Sequence, residues 1–161
     1  MKRSVCNIVF GGIGGQGILK ASEICATAAL CEGHHVKKSE VHGMAQRGGS
    51  VESHVRFGDA VYSPLVGAGL ADFLVCFHKD EHQRLRPFLK PGGTDLTDYL
   101  EPAARAITHP RHLNTFLVGA LSARLGIGEE SWTKAMHAVF DAKILEENLK
   151  VFRAGRSVEI Q

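Results

Sequence analysis

The sequence predicts an α/β fold, with a mostly parallel sheet in the first half of the chain and a helical carboxyl-terminal part. Two near-continuous apolar segments, 4–10 and 71–77, have the character of strands buried on both faces. A glycine-rich turn follows the first of these strands and leads into a helix, and beyond residue 99 apolar residues recur mainly at helical spacing. Strand, glycine turn and helix in this order begin many nucleotide-binding βαβ units.

Size and composition indicate one domain spanning residues 1–161. The chain is 44% apolar and 22% charged with a net charge of +2, which is ordinary for a globular protein and too small to indicate a nucleic-acid or membrane surface. No signal peptide or membrane span is evident, so a cytoplasmic location is expected. The four cysteines form no C-x-x-C pair, which disfavours an iron–sulfur cluster or zinc site held by this chain alone and favours buried free thiols.

The first half of the chain is predicted to alternate strands with one helix. A strand at 4–10 is followed by a helix at 17–31, a short strand at 35–39 and a polar loop. In the next strand, 50–57, Val51, Ser53, Val55 and Phe57 alternate with polar residues, which predicts one polar face.

The second half is predicted to be helical after the strand at 71–77. A helix over 80–89 is expected to stop at Pro91-Gly92-Gly93. Further helices are expected at 99–107, 114–125, 131–140 and 144–152.

The glycine turn has the spacing of a dinucleotide-binding loop. Gly12, Gly14 and Gly17 permit a tight turn and close backbone approach, while the start of the helix offers free N–H groups to a phosphate. Gly15 and Gln16 favour a binding loop further, since Gln16 adds an amide that could bind a ligand. The alternative is a strand-to-helix turn that binds nothing.

A basic pair, Lys37 and Lys38, stands where NAD-binding proteins carry an acidic residue at the end of the second strand. Two ammonium groups there favour a ligand with an extra ribose phosphate, either NADP or the 3′-phospho-ADP part of coenzyme A. A solvated basic pair at a strand end remains equally open.

The polar loop that follows is dense in side chains able to bind an anion. His42, Gln46, Arg47 and Ser50 supply an imidazole, an amide, a guanidinium and a hydroxyl, interleaved with glycines that allow close backbone approach. Such a loop suits an anionic ligand or a reactive site shared with a partner.

Three motifs resemble the gamma subunit or domain of the 2-oxoacid:ferredoxin oxidoreductases. They are Gly-x-Gly-Gly-Gln-Gly at 12–17, Ser-Glu-Val-His-Gly-Met-Ala-Gln-Arg-Gly-Gly at 39–49 and Ser-His-Val-Arg-Phe-Gly at 53–58. The second motif is most similar to the beta subunit of indolepyruvate:ferredoxin oxidoreductases. Weaker similarity continues to residue 152.

The resemblance implies a Rossmann-like three-layer α/β/α domain in a heteromeric, cytoplasmic enzyme complex. Such an enzyme decarboxylates a small 2-oxo acid oxidatively, forms an acyl-CoA and passes electrons to ferredoxin. Coenzyme A would be a co-substrate with a contact on this chain, whereas thiamine diphosphate and iron–sulfur clusters would lie on a large alpha subunit. Neither nucleic acid nor a membrane would be a partner.

The resemblance has one departure, at the short connection between Gly93 and Thr97. Family members carry another strand and crossover there, so this chain has either a deletion or missing residues. A deletion is expected to remove material near the middle of the sheet.

Three functions are therefore compared. The first is a non-thiamine oxidoreductase subunit, inactive alone, in which Gly12–Gly17, Lys37, Lys38, Gln46 and Ser50 contact a cofactor and His42 and Arg47 assist catalysis. The second is a free-standing NADP-dependent reductase. The third is a structural interaction subunit with an empty glycine turn.

Overall fold

The structure, a computed structural model, describes residues 4–42 and 48–160, with the backbone alone described at His42. This part of the chain holds a five-stranded sheet in the order β2-β3-β1-β4-β5. The strands are β1 (Cys6–Ile13), β2 (His35–His42), β3 (Ser50–Gly58), β4 (Ala71–Cys76) and β5 (Leu89–Asp95). β1 pairs in parallel with β4, and β4 with β5. β3 is antiparallel to both β1 and β2, so the sheet is mixed, with two parallel and two antiparallel pairings, and the predicted parallel pairing holds only for β1, β4 and β5.

The first unit, β1–α1–β2, forms as predicted, with α1 at Ile18–Cys31. β3 then runs back between β2 and β1, so the loop that joins β2 to β3 begins and ends at the carboxyl edge of β1. This edge also carries the glycine turn. The fold therefore brings the two sequence motifs to the same side of the molecule.

Helices cover one face of the sheet. They are α3 (Leu100–Ala106), α4 (Leu113–Ser122), α5 (Glu129–Val139) and α6 (Ala142–Ser157), together with α1. The larger apolar core lies between them and the sheet, and it includes the fully buried Phe10, Phe116 and Trp132. All four carboxyl-terminal helices agree with the sequence prediction to within a few residues at most ends.

The opposite face has a thinner cover and a smaller core around Val9, Leu74 and Leu85. The predicted helix over 80–89 is only partly formed: α2 spans His82–Leu85, with 3-10 turns before and after it. The prediction that Pro91-Gly92-Gly93 stops a helix is wrong, because these residues lie inside β5. β5 is an edge strand, where a proline removes no ladder hydrogen bond, and Gly92 has a φ of 77°.

The short connection after Gly93 lies at the edge of the sheet, not near its middle as expected. β5 ends at Asp95, and the chain passes through a 3-10 turn at Thr97–Tyr99 directly into α3. The sheet between β2 and β4, which carries both motif loops, is therefore continuous.

Among the described residues, no helix combines the length and the apolar character needed to cross a bilayer.

Candidate functional site

The glycine turn links β1 to α1 through two residues in the left-handed region. Gly15 has a φ of 97° and Gly17 a φ of 80°, conformations that side chains disfavour. A Cβ atom on Gly17 would also lie 2.5 Å from Nδ2 of Asn114. Glycine is therefore required at position 17 both by the turn and by the close approach of α4.

Gln16 fixes the turn to the neighbouring strand. Its Oε1 accepts a hydrogen bond from the backbone N–H of Ile13 at 2.8 Å, and its Nε2 donates to the carbonyl of Phe77 at 3.0 Å. Gly12 must remain small here, because a Cβ would lie 2.6 Å from Oε1 of Gln16. The amide predicted to contact a ligand is thus bonded to the end of β4, which positions the turn.

The end of the polar loop lies directly against the glycine turn. The backbone N–H of Gly14 donates to the carbonyl of Gly49 at 2.8 Å, and Ile13 is paired with Ser50 across β1 and β3. The structure therefore brings Gly12–Gly17 and Ser50 together at one edge. Gln46 and Arg47 lie outside the described residues, while the backbone of His42 ends β2 opposite Val51.

Lys37 and Lys38 are not brought to this edge, and the prediction that they end the second strand is wrong. β2 continues to His42, and the two lysines are in register with Arg56 and Val55 of β3. They stand four or five residues before His42, which is about 13–17 Å along a strand. Their side chains alternate between the two faces, and Lys38 forms an ion pair with Glu40 at 2.8 Å. Lysines on an exposed edge strand discourage edge-to-edge association, which accounts for them physically.

A chain of polar contacts holds Ser50, the residue at which the polar loop ends. Ser50 Oγ donates to Glu81 at 2.6 Å, Arg84 contacts both Glu81 at 2.6 Å and Glu52 at 3.4 Å, and Glu52 contacts His54 at 3.0 Å. Hydrogen bonding to His54 and the charge of Arg84 hold the pKa of Glu52 below its usual value. Burial opposes ionisation of Glu81, but the bonds from Ser50 and Arg84 outweigh it and lower its pKa.

The polar face predicted for β3 supplies part of this chain, but sequence patterns did not reveal the rest. Nδ1 of His54 accepts from the backbone N–H of Val66 at 3.0 Å, so Nε2 carries the proton that is donated to Glu52. Glu81 and Arg84 come from a segment about thirty residues further along. No periodic signal links them to Ser50.

Two cavities meet at the glycine turn. One of about 440 Å³ lies over the first turn of α1. Its lining comprises Gly14, Gly15, Gly17, Ile18, Leu19, Lys20 and Val51. The helix has no side-chain cap, so its first N–H groups are available to an anion. The other cavity, of about 580 Å³, is mostly apolar and shares Gly15.

The remaining candidates for chemistry are structural in character. His82 Nε2 contacts Asp95 at 2.6 Å; burial acts to raise the pKa of Asp95, but hydrogen bonds from Thr97 and His82 outweigh it and lower the pKa. No group of three His, Cys, Asp or Glu side chains within the described ranges could hold a metal ion. Cys25 and Cys76 are buried and burial raises the pKa of the Cys6 thiol to about 12, whereas Cys31 is exposed, contrary to the prediction of buried thiols.

Comparison with known protein families identifies the family of the chain. Residues 7–158 match the model of the pyruvate ferredoxin/flavodoxin oxidoreductase family. The chain belongs to that family. This confirms the resemblance identified in the motifs, because the matched region covers nearly the whole sequence.

Individual relatives are subunits of 2-oxoacid oxidoreductases. The chain is 49% identical over 92 residues to indolepyruvate oxidoreductase subunit IorB of Pyrococcus horikoshii, covering 57% of this chain and 46% of that protein. It therefore spans about half the length of the first curated relatives it matches. With subunit IorB of Methanothermobacter thermautotrophicus it is 29% identical over 187 residues, covering 92% of this chain and 95% of the relative.

Solved structures share the fold. The keto/oxoacid ferredoxin oxidoreductase gamma subunit from Geobacter sulfurreducens superposes with a TM-score of 0.76 at 26% identity, covering 93% of this chain and 95% of the other. The TM-score is 0.81, at 20% identity, with a 2-oxoglutarate:ferredoxin oxidoreductase from Magnetococcus marinus. That structure has 2-oxoglutarate, coenzyme A and succinyl-CoA bound. The match covers 95% of this chain and 30% of that protein. The predicted three-layer α/β architecture is confirmed.

Proposed function

We propose that this chain is the non-thiamine subunit of a 2-oxoacid:ferredoxin oxidoreductase, of the indolepyruvate type, and that it works only within a complex. The complex would decarboxylate a 2-oxo acid oxidatively, transfer the acyl group to coenzyme A and pass electrons to ferredoxin. A large partner subunit would hold thiamine diphosphate and the iron–sulfur clusters. A cytoplasmic location and a single domain remain predictions from the sequence.

The observation that carries this proposal is the hydrogen bond between Gly14 and Gly49. It joins the glycine turn to the end of the His42–Ser50 loop, so an anion at the start of α1 would lie beside that loop. In the proposal, Arg47 pairs with a carboxylate or phosphate and His42 assists proton transfer at the partner's thiamine site. Coenzyme A is the co-substrate whose phosphates the glycine turn would contact.

The position of the basic pair weighs against a free-standing NADP-dependent reductase, and it gives no support to a lysine contact with the ribose phosphate of coenzyme A. Such a reductase needs its basic residues at the end of the second strand, beside the adenosine ribose. Lys37 and Lys38 stand several residues before the end of β2. Titration with NADPH tests the alternative, since tight binding without a partner would favour a reductase.

Co-purification tests the proposal directly. A tagged chain expressed in its native host is expected to retrieve a larger protein that has iron–sulfur absorbance and releases thiamine diphosphate on denaturation. Arg47→Ala is expected to retain the partner but lower 2-oxoacid turnover, whereas Arg153→Ala, an exposed control on α6, should change neither. Retrieval of no thiamine protein would contradict the subunit assignment, and unchanged turnover in Arg47→Ala would support a structural subunit instead.

A further inference from the structure

His112 is a buried imidazole without a hydrogen bond. It lies where a 3-10 turn at Pro110–His112 leads into α4, its side chain is 3% exposed, and neither ring nitrogen has a hydrogen-bond partner. Nε2 is 3.2 Å from Oε1 of Glu147, close enough for an ion pair but outside hydrogen-bond geometry. Leaving such a group unbonded is costly, so its presence calls for a partner.

The ring lies in the wall of a cavity of about 240 Å³ with a cationic lining, and its two nitrogens are covered rather than open to the cavity. Lys20 of α1 and Arg111 lie on its wall with His112, and Glu147 is the carboxylate among its lining residues. The amide donors of two neighbouring residues are already engaged: Nδ2 of Asn114 donates to the carbonyl of Gly17 at 3.4 Å, and Nδ2 of Asn148 to that of Ile144 at 2.9 Å. The groups left to bind a ligand are therefore the imidazole and two cations.

This cavity adjoins both cavities at the glycine turn. It shares Lys20 with the 440 Å³ cavity over the start of α1, and Arg111 with the 580 Å³ apolar cavity. A charged group bound beside His112 would thus have room for an organic body along the apolar wall. Three donors from two elements, α1 and the 3-10 turn, suit a tetrahedral oxyanion better than a planar carboxylate, which one guanidinium can hold alone.

We propose that the cavity bounded by Lys20, Arg111 and His112 binds a phosphate group, either free or as the phosphate of an organic ester. When phosphate binds it displaces the Glu147 carboxylate, and the N–H at Nε2 of His112 then donates to a phosphate oxygen, while Lys20 and Arg111 supply the balancing charge. Glu147 holds the site when it is empty, lying 3.6 Å from Arg111 and 3.2 Å from His112. This proposal rests on the cavity itself and stands whether or not the chain is an oxidoreductase subunit.

The test follows the ring nitrogens of His112 by NMR on the histidine-labelled full chain. Inorganic phosphate, phenyl phosphate and acetate are titrated separately at constant ionic strength, with potassium chloride as the reference salt. We expect a saturable shift of the His112 signal with both phosphates and none with acetate. The signal of His137, exposed on α5, should not change. Tighter binding of phenyl phosphate than of phosphate would identify an ester as the source, and equal affinity would identify free phosphate.

Variants of the residues that line the cavity should change the affinity for phosphate in opposite directions. Lys20→Ala and Arg111→Ala should each weaken phosphate binding about tenfold, the size of one charge-assisted hydrogen bond. Glu147→Gln should tighten it, because a competing carboxylate is removed. Lys134→Ala, an exposed lysine outside the cavity, is the matched control and should have no effect.

Thermal unfolding keeps the proposal testable without relying on the NMR signal. His112→Phe removes two unbonded nitrogens, so it should fold with unchanged or raised stability and lose the phosphate-dependent rise in Tm that the Lys134→Ala control retains. A linear shift that chloride reproduces, or affinity unchanged in both Arg111→Ala and Glu147→Gln, would overturn the proposal. So would a saturable response to acetate as strong as that to phosphate.

Discussion

Gln16 illustrates how a residue in a binding motif can act through the backbone. Its amide bonds to Ile13 on one side and to Phe77 on the other, so the end of β4 helps to hold the turn that follows β1. The conformation of Gly15 and Gly17 then leaves the first N–H groups of α1 facing a cavity. In the proposed function, ligand binding at this turn would depend on Gln16 even without direct contact.

Replacing Gln16 by leucine should lower the free energy of unfolding by about 1–2 kcal/mol, because two hydrogen bonds to backbone groups are lost. Urea denaturation followed by circular dichroism measures the change. Gln83→Leu, on the exposed surface of α2, is the control and should differ little from the unmodified chain. Equal stability of the two variants would show that the Gln16 bonds contribute nothing.

Glu52 makes stability depend on pH in a defined direction. Its folded pKa is lowered, so the folded chain binds fewer protons there than the unfolded chain and gains stability above the ordinary pKa of 4.5. This gain is lost as the pH falls below that value. Glu52→Gln should cost roughly 1 kcal/mol at neutral pH and progressively less in acid, after allowance for solvent screening.

The measurement is urea denaturation of the unmodified chain and of Glu52→Gln between neutral pH and about pH 3. Glu101→Gln, which removes an exposed carboxylate paired with Arg105, is expected to change stability by no more than about 0.5 kcal/mol. A difference between Glu52→Gln and the unmodified chain that stayed constant across this range would contradict the role given to the Glu52 charge.

At the scale of elements, two glycines allow α4 and α6 to pack at close range. A Cβ on Gly119 would lie 2.1 Å from the carbonyl oxygen of Phe152, and one on Gly155 would lie 2.0 Å from that of Phe116. The backbones of the two helices are thus in direct contact. α4 begins beside the glycine turn, so this packing also sets the position of Asn114 against Gly17.

Gly155→Ala should destabilise the fold by about 1–3 kcal/mol despite the better helix propensity of alanine, because the two backbones must move apart. The loss would appear as a lower Tm in calorimetry. Gly126→Ala is the matched control, since a Cβ there meets nothing within 4 Å. A Gly155→Ala variant as stable as Gly126→Ala would contradict the close packing of α4 on α6.

Elements with strong local patterns were predictable from the sequence, whereas those fixed by distant contacts were not. α1, α4, α5 and α6 have apolar periodicity, and β1 and β4 are near-continuous apolar segments. β5 was missed because Pro91-Gly92-Gly93 usually marks a stop, and only its edge position permits a strand there. The glycine turn and Ser50 were both predicted to contact a cofactor, but the contacts of Ser50 with Glu81 and of Lys20 with the His112 cavity arise only from the tertiary fold.

At the scale of the whole molecule, helices cover one face of the sheet while the carboxyl edge carries the candidate site. The glycine turn, the end of the polar loop and two cavities all open at this edge. In the proposed function this edge faces the partner's thiamine site, and the chain supplies anion-binding groups while the partner supplies the electron carriers. Neither subunit would then be active alone.

The most direct test of this account is 2-oxoacid-dependent reduction of a viologen dye by the purified chains, measured separately and together with coenzyme A present. We expect reduction only when this chain and its thiamine-containing partner are mixed, with indolepyruvate as the preferred substrate. Full activity of the partner without this chain, or of this chain without the partner, would contradict the account.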